Sequence, residues 1–408
     1  MERRYSLSDR VIWLLTGFLF ASFYIFETYA WGRYIFLGTS FAILVFWVFK
    51  KGVRKNIGGS FKLGAWHYHL IALSAFSLIS SLWALSSEDA VQKAITLLQI
   101  LICLSFLYLY YQDNIPMMKV LQIIKWAGYG VTVYAFVFYG YDFIVSSLDS
   151  EMRLDNEFSN VNSIGMLSAI AIVIQVYELL YYRKIELEAV FCIPSIIMVA
   201  ATQSRKALVI GVVGIILVLI YVNSGKNFGK SLFKIVLALT ICAFVFQYLS
   251  QLAIFNGVSK RMMGLVALYS GVGDAGESAT IRDKMVHLGW EYFLANPIGG
   301  VGFGCPRILA KTYLNFDAYL HNNYIELLAG GGIIGAAVYY SMYVYLLTKT
   351  WKLRLYKNDE YGICLIVMLL LLIVDWGSVS CYSKSTYFYF MLFNLQVKNL
   401  MSIKRRSQ

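Results

Sequence analysis

Apolar runs alternate with short polar connections along almost the entire chain. About twenty consecutive apolar residues cross the hydrocarbon core of a bilayer as a helix, so this pattern predicts about twelve membrane spans. The predicted spans cover residues 11–28, 30–49, 68–87, 93–111, 118–146, 161–181, 187–203, 206–223, 231–253, 323–348, 361–379 and 384–401. The expected fold is an all-α polytopic membrane protein.

One long polar interval interrupts this alternation. It divides the chain into helices over residues 1–253, a large loop over 254–322, and further helices with a tail over 323–408. A short amphipathic helix is expected inside the loop, because apolar side chains recur there at helical spacing. Those side chains are Ile281, Met285, Leu288 and Tyr292. Thr280 and Asp283 resemble a capping box at its start, and Pro297 ends it.

The charges indicate how the chain is oriented. Only 14% of residues are charged and 59% are hydrophobic, which excludes a water-soluble domain. The net charge of +12 resides mainly in short loops on one side, so nucleic acid is not expected as a partner. Basic short loops mark the cytoplasmic side. Both termini are therefore predicted to be cytoplasmic, with the 254–322 loop outside and membrane lipids as surroundings.

Three ionisable residues stand at polar ends of predicted helices. His321 is predicted in the first turn of a helix, where the helix dipole disfavours the charged imidazole and leaves a neutral base. Arg205 begins a helix that Ser204 is predicted to cap. Arg282 is predicted in the first turn of the amphipathic helix, next to backbone N–H groups that favour anions. Two cations and a base suit the transfer of a group from a phosphate.

Structural explanations of the same residues stay open at this point. An interfacial arginine such as Arg205 often extends to lipid headgroups. Arg282 could form an ion pair with Asp283 or Glu277. His321 could serve the fold alone.

Glycines and cysteines add smaller expectations. The turn at 299–304 is dense in glycine and lets the backbone approach a ligand or another helix closely. The triple glycine at 330–332 is predicted to serve close helix packing. Cys305 and Cys381 are both placed outside and either pair or remain free thiols. The chain has no CxxC pair and no recognised metal-binding motif, so no metal or other cofactor is expected.

Several of these segments together resemble the O-antigen ligase and O-antigen polymerase superfamily. The similar segments are Thr202-Gln203-Ser204-Arg205, Arg282 with Asn296 to Gly304, His321-Asn322-Asn323-Tyr324, and Gly332-Ile333-Ile334-Gly335. The resemblance is strongest over residues 195–345. It implies a metal-independent glycosyltransferase on the outer face of the bacterial cytoplasmic (inner) membrane.

The resemblance also implies roles for individual residues. Arg205 and Arg282 would bind the diphosphate of an undecaprenyl-diphosphate-linked glycan donor, and His321 would take the proton of the acceptor hydroxyl. Three further residues are expected to contribute to the same substrate site: Ser204, Asn322 and Glu326. Glu326 would either orient the imidazole or satisfy polar neighbours. A chain-length regulator is a candidate partner.

The acceptor distinguishes two related functions. A polymerase joins the glycan to the next lipid-linked repeat unit, whereas a ligase joins it to a lipopolysaccharide core. The run from Asn322 to Leu328 and the turn from Asn296 to Gly302 resemble the polymerases of surface polysaccharides more closely, which favours a polymerase. Two other classes remain alternatives: a transporter of polysaccharide or lipid-linked sugar, and a purely structural scaffold. A transporter usually has two related halves, and here the halves differ.

Overall fold

A computed structural model describes most of the chain. The residues that it describes are 7–27, 29–53, 63–114, 117–149, 154, 159–183, 187–224, scattered positions between 233 and 263, 277–358 and 360–408. The described residues form helices joined by turns, and they contain no β-strand. The expectation of an all-α chain is therefore confirmed for this part of the protein.

The helices follow the apolar runs. In chain order they are α1 (Leu7–Ile25), α2 (Gly32–Val53), α3 (Ala65–Ser80), α4 (Ser87–Asn114), α5 (Met117–Asp149), α6 (Val161–Tyr182), α7 (Cys192–Ala201), α8 (Arg205–Asn223), α9 (Glu277–Ala295), α10 (Pro306–Leu314), α11 (Asn323–Lys352), α12 (Tyr361–Val374) and α13 (Lys384–Ser407), with 3-10 turns at Leu187–Phe191 and Arg354–Tyr356. Each predicted span contains helical residues, although only scattered positions of the span at 231–253 are described.

In the part of the chain that the structure describes, six helices are long and apolar enough to cross a membrane. They include α4, α6, α8 and α11, and two shorter apolar segments end at Ala201 and Val374. A chain with this many apolar helices is a multi-pass membrane protein. The count of about twelve spans, the outer position of the 254–322 loop and the cytoplasmic termini stay predictions.

The described chain divides into two compact units. The first unit contains residues 1–36 and 118–275, and the second contains 37–117 and 276–408. These units follow three-dimensional contacts, whereas the predicted division at 253 and 322 follows membrane topology and stays a prediction.

In the first unit, α6 is the central element. It packs against α1, α7 and α8. Gly165 brings α6 close to the start of α8, since a Cβ atom there would lie 2.6 Å from Thr202 Oγ1 and 3.0 Å from Ala207 Cβ. Small residues allow helix backbones to approach in a membrane, where van der Waals packing stabilises helix association.

In the second unit, α11 contacts α3, α9, α10, α12 and α13. Its long axis is broken at Gly332, whose φ of +60° lies in the left-handed region. The kink separates the first part of α11, Asn323 to Gly331, from the rest of the helix. Most predicted site residues of this unit lie in this part, at Glu326, or directly before it, at His321 and Asn322.

The glycine turn at 299–304 lies against the triple glycine of α11. Val301 N–H donates to Ala329 O at 2.9 Å, and Gly302 N–H donates to Gly330 O at 3.0 Å. A Cβ atom on Gly300 would lie 2.5 Å from the Gly330 carbonyl carbon, so only glycine permits this approach. The predicted close packing of the triple glycine is confirmed, and its partner is the glycine turn.

The amphipathic helix is present but begins earlier than predicted. Because α9 starts at Glu277, Thr280 lies inside the helix and not at its N-cap. Arg282 therefore lies beyond the first turn, and the predicted capping box is wrong. The predicted end is correct, since α9 stops at Ala295, immediately before Asn296-Pro297.

Candidate active site

His321 lies immediately before α11, not within its first turn. The helix begins at Asn323, and the side chain of Asn322 caps it by accepting a hydrogen bond from Ile325 N–H at 3.1 Å. His321 adopts φ +56°, the left-handed conformation, and its side chain is half-buried. The predicted first-turn placement is wrong, because Asn322 is the better N-cap and displaces His321 into the preceding turn.

Glu326 holds the backbone beside His321. The carboxylate is fully buried and accepts a hydrogen bond from Leu320 N–H at 3.0 Å. It also accepts one from Tyr382 Oη at 3.4 Å. These contacts support the second of the two hypotheses for Glu326, in which it satisfies polar neighbours. It thereby fixes the peptide that leads into His321.

A second buried network anchors the start of α11. Asn323 Nδ2 donates to Asp375 Oδ2 at 3.1 Å, and Asn323 N–H donates to Asp375 O at 2.8 Å. Asn323 Oδ1 accepts from the backbone N–H groups of Ser380 and Cys381, at 3.0 and 2.9 Å. Tyr340 Oη donates to Asp375 at 3.1 Å. The first residue of α11 is thus joined to the segment that follows α12.

Asp375 was the lone acid of an apolar run, and its function in the fold was not predicted. It lies directly after α12, which ends at Val374, and it is fully buried. A buried carboxylate in an apolar setting requires hydrogen-bond donors. A single acid in an apolar run was therefore the available sequence signal, and the partners of Asp375 come only from the structure.

Arg282 and His321 flank one apolar cluster of the second unit. Met285 on α9 and Leu320, which precedes His321, are both fully buried in it, and Ile281 packs against them. The residues next to the arginine and next to the histidine therefore share one core. Arg282 itself is half-buried.

Within this cluster, Gly289 permits α9 to approach the start of α11. A Cβ atom on Gly289 would lie 2.4 Å from Ile325 Cγ2 and 2.6 Å from Leu320 Cδ1. On the opposite, exposed face of α9, Asp283 lies 3.7 Å from His287 Nε2. Apolar contacts therefore determine which face of α9 packs against α11, and the face with Asp283 and His287 stays exposed.

Lys93 is a cation near this site that was not among the predicted site residues. It lies on α4, and its ammonium group donates to Tyr319 Oη at 2.7 Å. The ring centroids of Tyr319 and Tyr382 are 5.0 and 4.7 Å from Lys93 Nζ. Lys93 is the first residue of the predicted span 93–111, directly after a polar stretch, so the sequence alone did not distinguish it from an ordinary interfacial lysine.

Arg205 belongs to the first unit. It is the first residue of α8, and the Ser204 side chain accepts a hydrogen bond from Ala207 N–H at 3.4 Å, which confirms the predicted cap. Gln203 precedes the cap with φ +47°. Since Arg282 and His321 belong to the second unit, a shared site that includes Arg205 stays a prediction.

Cys305 and Cys381, which were both predicted to lie outside, do not form a disulfide. Cys305 and Cys381 are both buried free thiols. Burial raises the pKa of the Cys305 thiol. The expectation that left both pairing and free thiols open is resolved in favour of free thiols.

The described structure is that of a multi-pass α-helical membrane protein with polar side chains gathered around the starts of apolar helices. The O-antigen ligase family model matches residues 190–340, a segment that contains Arg205, Arg282 and His321. This match confirms the resemblance to the O-antigen ligase and polymerase superfamily within residues 190–340. Members of this superfamily are membrane glycosyltransferases. No curated protein matches the chain significantly.

Proposed function

We propose that the protein is a metal-independent glycosyltransferase that polymerises undecaprenyl-diphosphate-linked repeat units into a surface polysaccharide. The observation that carries the transferase part of this proposal is the family match, because its boundaries enclose all three predicted catalytic residues. The donor would be a lipid-linked glycan, and the acceptor would be the next lipid-linked repeat unit. The reaction would take place on the outer face of the bacterial cytoplasmic membrane.

The proposed reaction is a single displacement at the anomeric carbon. The acceptor hydroxyl oxygen forms the new glycosidic bond while the bond from that carbon to the diphosphate oxygen breaks. The electron pair leaves with the diphosphate, and His321 accepts the hydroxyl proton. Arg205 and Arg282 stabilise the negative charge that develops on the leaving group. A single displacement inverts the configuration of the anomeric carbon.

The surroundings of His321 support its role as the base. General-base catalysis requires a side chain held at a defined position. The Asn322 cap, the Glu326 contact to Leu320 and the Asn323 network with Asp375 hold the backbone on both sides of the histidine. Asn322 and Glu326 would act chiefly by fixing the site, and any contact that they make with substrate is part of this proposal.

A ligase is the second candidate function, and the description of the matched family as an O-antigen ligase favours it. The same displacement would then use a hydroxyl of a lipopolysaccharide core as the nucleophile. The chemistry at His321 and the two arginines is identical in both cases. The acceptor alone distinguishes them.

Deletion of the gene in its host tests these functions. We expect loss of the surface-glycan ladder on a gel, with a single repeat unit accumulating on undecaprenyl diphosphate. A normal ladder retained on undecaprenyl diphosphate, with bare lipopolysaccharide core, would instead identify a ligase. Unchanged lipid-linked and surface glycans would refute both functions. Complementation with the wild-type gene is the control.

A further inference from the structure

Lys93 occupies an aromatic site beside the segment that leads to His321. Its ammonium group lies over the rings of Tyr319 and Tyr382, whose centroids are 5.4 Å apart. Tyr319 is two residues before His321, and Tyr382 donates to the buried Glu326. The lysine is therefore part of the same group of contacts that fixes the histidine segment.

The glycine turn makes room for the lysine side chain. A Cβ atom on Gly304, which has φ +89°, would lie 2.7 Å from Lys93 Cγ. The ring of Phe303, the preceding residue, lies 5.3 Å from that of Tyr382. The lysine stem thus runs past the glycine turn, and its charged end lies where the turn, the histidine segment and the 381–382 segment meet.

The ammonium group has capacity to bind an anion. It has three N–H donors, and its one hydrogen bond to the described protein is with Tyr319 Oη. Among the residues that the structure describes, Lys93 forms no ion pair with a carboxylate, whereas Lys125 pairs with Glu178 and Glu188. The buried Glu326 carboxyl interacts with Lys93 electrostatically without forming an ion pair with it, so the ammonium group keeps N–H donors for an anionic ligand.

We propose that Lys93 binds a phosphate of the lipid-linked diphosphate donor through its two remaining N–H donors. This inference rests on the proposed transferase function and adds a cation to the second unit, which also contains Arg282 and His321. Lysine acts on phosphate as a point charge, and the two tyrosine rings hold that charge in place.

Chemical labelling of the full-length wild-type protein in nanodiscs tests the proposal without any substitution. Lysines are acetylated with an N-hydroxysuccinimide ester, and modification is measured by mass spectrometry with and without undecaprenyl diphosphate. We expect the probe to slow acetylation of Lys93 about ten-fold and to leave Lys311 unchanged. Lys311 is a matched control, since it is exposed and pairs with Asp317 at 3.3 Å. Equal labelling of Lys93 with and without the probe would overturn the proposal.

Binding measurements on variants provide a second test. Lys93→Met is expected to weaken binding of undecaprenyl diphosphate about ten-fold or more, whereas Lys93→Arg and Lys311→Met retain it within about three-fold. Thermal unfolding of each variant separates lost binding from lost folding. A folded Lys93→Met protein that binds like wild type would also overturn the inference.

The two proposals fail in different ways. If purified wild-type protein transfers no glycan from an undecaprenyl-diphosphate donor to either acceptor, the transferase function is refuted. If wild type transfers glycan but Lys93 is neither protected nor needed for binding, the transferase function stands and only the role of Lys93 is refuted.

Discussion

The starts of α8 and α11 use the same backbone arrangement for different side chains. In each, a polar residue caps the helix, Ser204 in one and Asn322 in the other. In each, the residue before the cap is left-handed, with φ +47° at Gln203 and +56° at His321. The arrangement therefore belongs to the way the chain enters an apolar helix, and the chemistry depends on which side chain it presents.

The two starts differ in what that side chain does. Gln203 is buried, and its amide donates to Ser147 O at 2.5 Å, so it joins α8 to α5. His321 is half-buried, and other residues, Glu326 and Asn323, provide the anchoring contacts beside it. Because Glu326 and Asn323 anchor the backbone of α11, the side chain of the residue before the cap is not needed for anchoring and is available for catalysis. At α8 the functional candidate is instead the residue after the cap, Arg205.

Replacement of His321 should give the largest effect if this comparison is correct. His321→Ala is expected to reduce glycosyl transfer about 10²- to 10⁴-fold, because the acceptor hydroxyl loses its base. The measurement is transfer rate with purified protein and lipid-linked donor. His287→Ala is the control, since His287 lies on the exposed face of α9. Equal rates for His321→Ala and wild type would remove the base from the mechanism.

The two arginines should give the next largest effect. Arg205→Ala and Arg282→Ala are each expected to reduce the rate about 10²-fold, because each removes a charge that stabilises the leaving diphosphate. Arg307→Ala is a matched control, since Arg307 is exposed and pairs with Asp317. If both arginine variants turn over normally, the proposed stabilisation of the leaving group is wrong.

Substitution of one glycine in α11 and one in α8 compares the two helices by their effect on stability. Gly332→Ala in α11 is expected to lower the free energy of unfolding by about 2–3 kcal/mol, since the residue has φ +60° and its Cβ would lie 2.2 Å from Ile298 O. Gly211→Ala in α8 is the control, because a Cβ there meets no atom within 4 Å. It should stabilise α8 by about 0.5–1 kcal/mol. Thermal unfolding in detergent measures both, and equal shifts would contradict the kink argument.

The two caps should have similar, smaller effects. Ser204→Ala and Asn322→Ala are each expected to cost about 1 kcal/mol of stability, since each leaves a backbone N–H of the first turn without its partner. Ser204→Thr and Asn322→Asp keep an acceptor and should recover most of that loss. The rate of glycosyl transfer distinguishes the two caps further. Asn322→Ala should reduce transfer more than stability alone predicts, because Asn322 adjoins the proposed base.

The smallest effect is expected for the Arg307–Asp317 pair. The hydrogen bond from Arg307 lowers the pKa of Asp317 to about 2. A lowered carboxylate pKa contributes stability above the ordinary pKa and loses it only as the pH falls towards 2. Asp317 therefore stays charged between about pH 5 and 8, and the activity ratio of Asp317→Asn to wild type should be constant there. An activity ratio that changes across this range would show that Asp317 changes its protonation state there, which would contradict the prediction.

Local sequence rules predicted part of the site correctly and part incorrectly. Ser204 was recognised as a cap because a serine before an apolar run satisfies an N–H group of the first turn. The same rule misplaced the start of α9, since Thr280 also fits a cap but the helix continues back to Glu277. His321 was predicted in the first turn of α11, but it directly precedes the cap, because Asn322 and not His321 begins the helix.

Contacts distant in sequence could not be predicted in this way. Lys93 and Tyr382 lie far apart in the chain but contact each other, and Asn323 reaches Asp375 through hydrogen bonds. Each residue signals only that it needs a polar partner in an apolar setting. Which partner satisfies it depends on helix packing.

The sequence by itself determined the all-helical class, the multi-pass membrane character and the resemblance to the O-antigen ligase family over residues 190–340, because apolar run length and short motifs are local properties. Only the tertiary structure decided that Glu326 holds the peptide before His321, that the triple glycine meets the glycine turn, and that Lys93 lies beside Tyr319. These contacts form only when helices pack against each other. Packing depends on the shapes of both helix surfaces, and the sequence of one helix does not specify the surface of its partner.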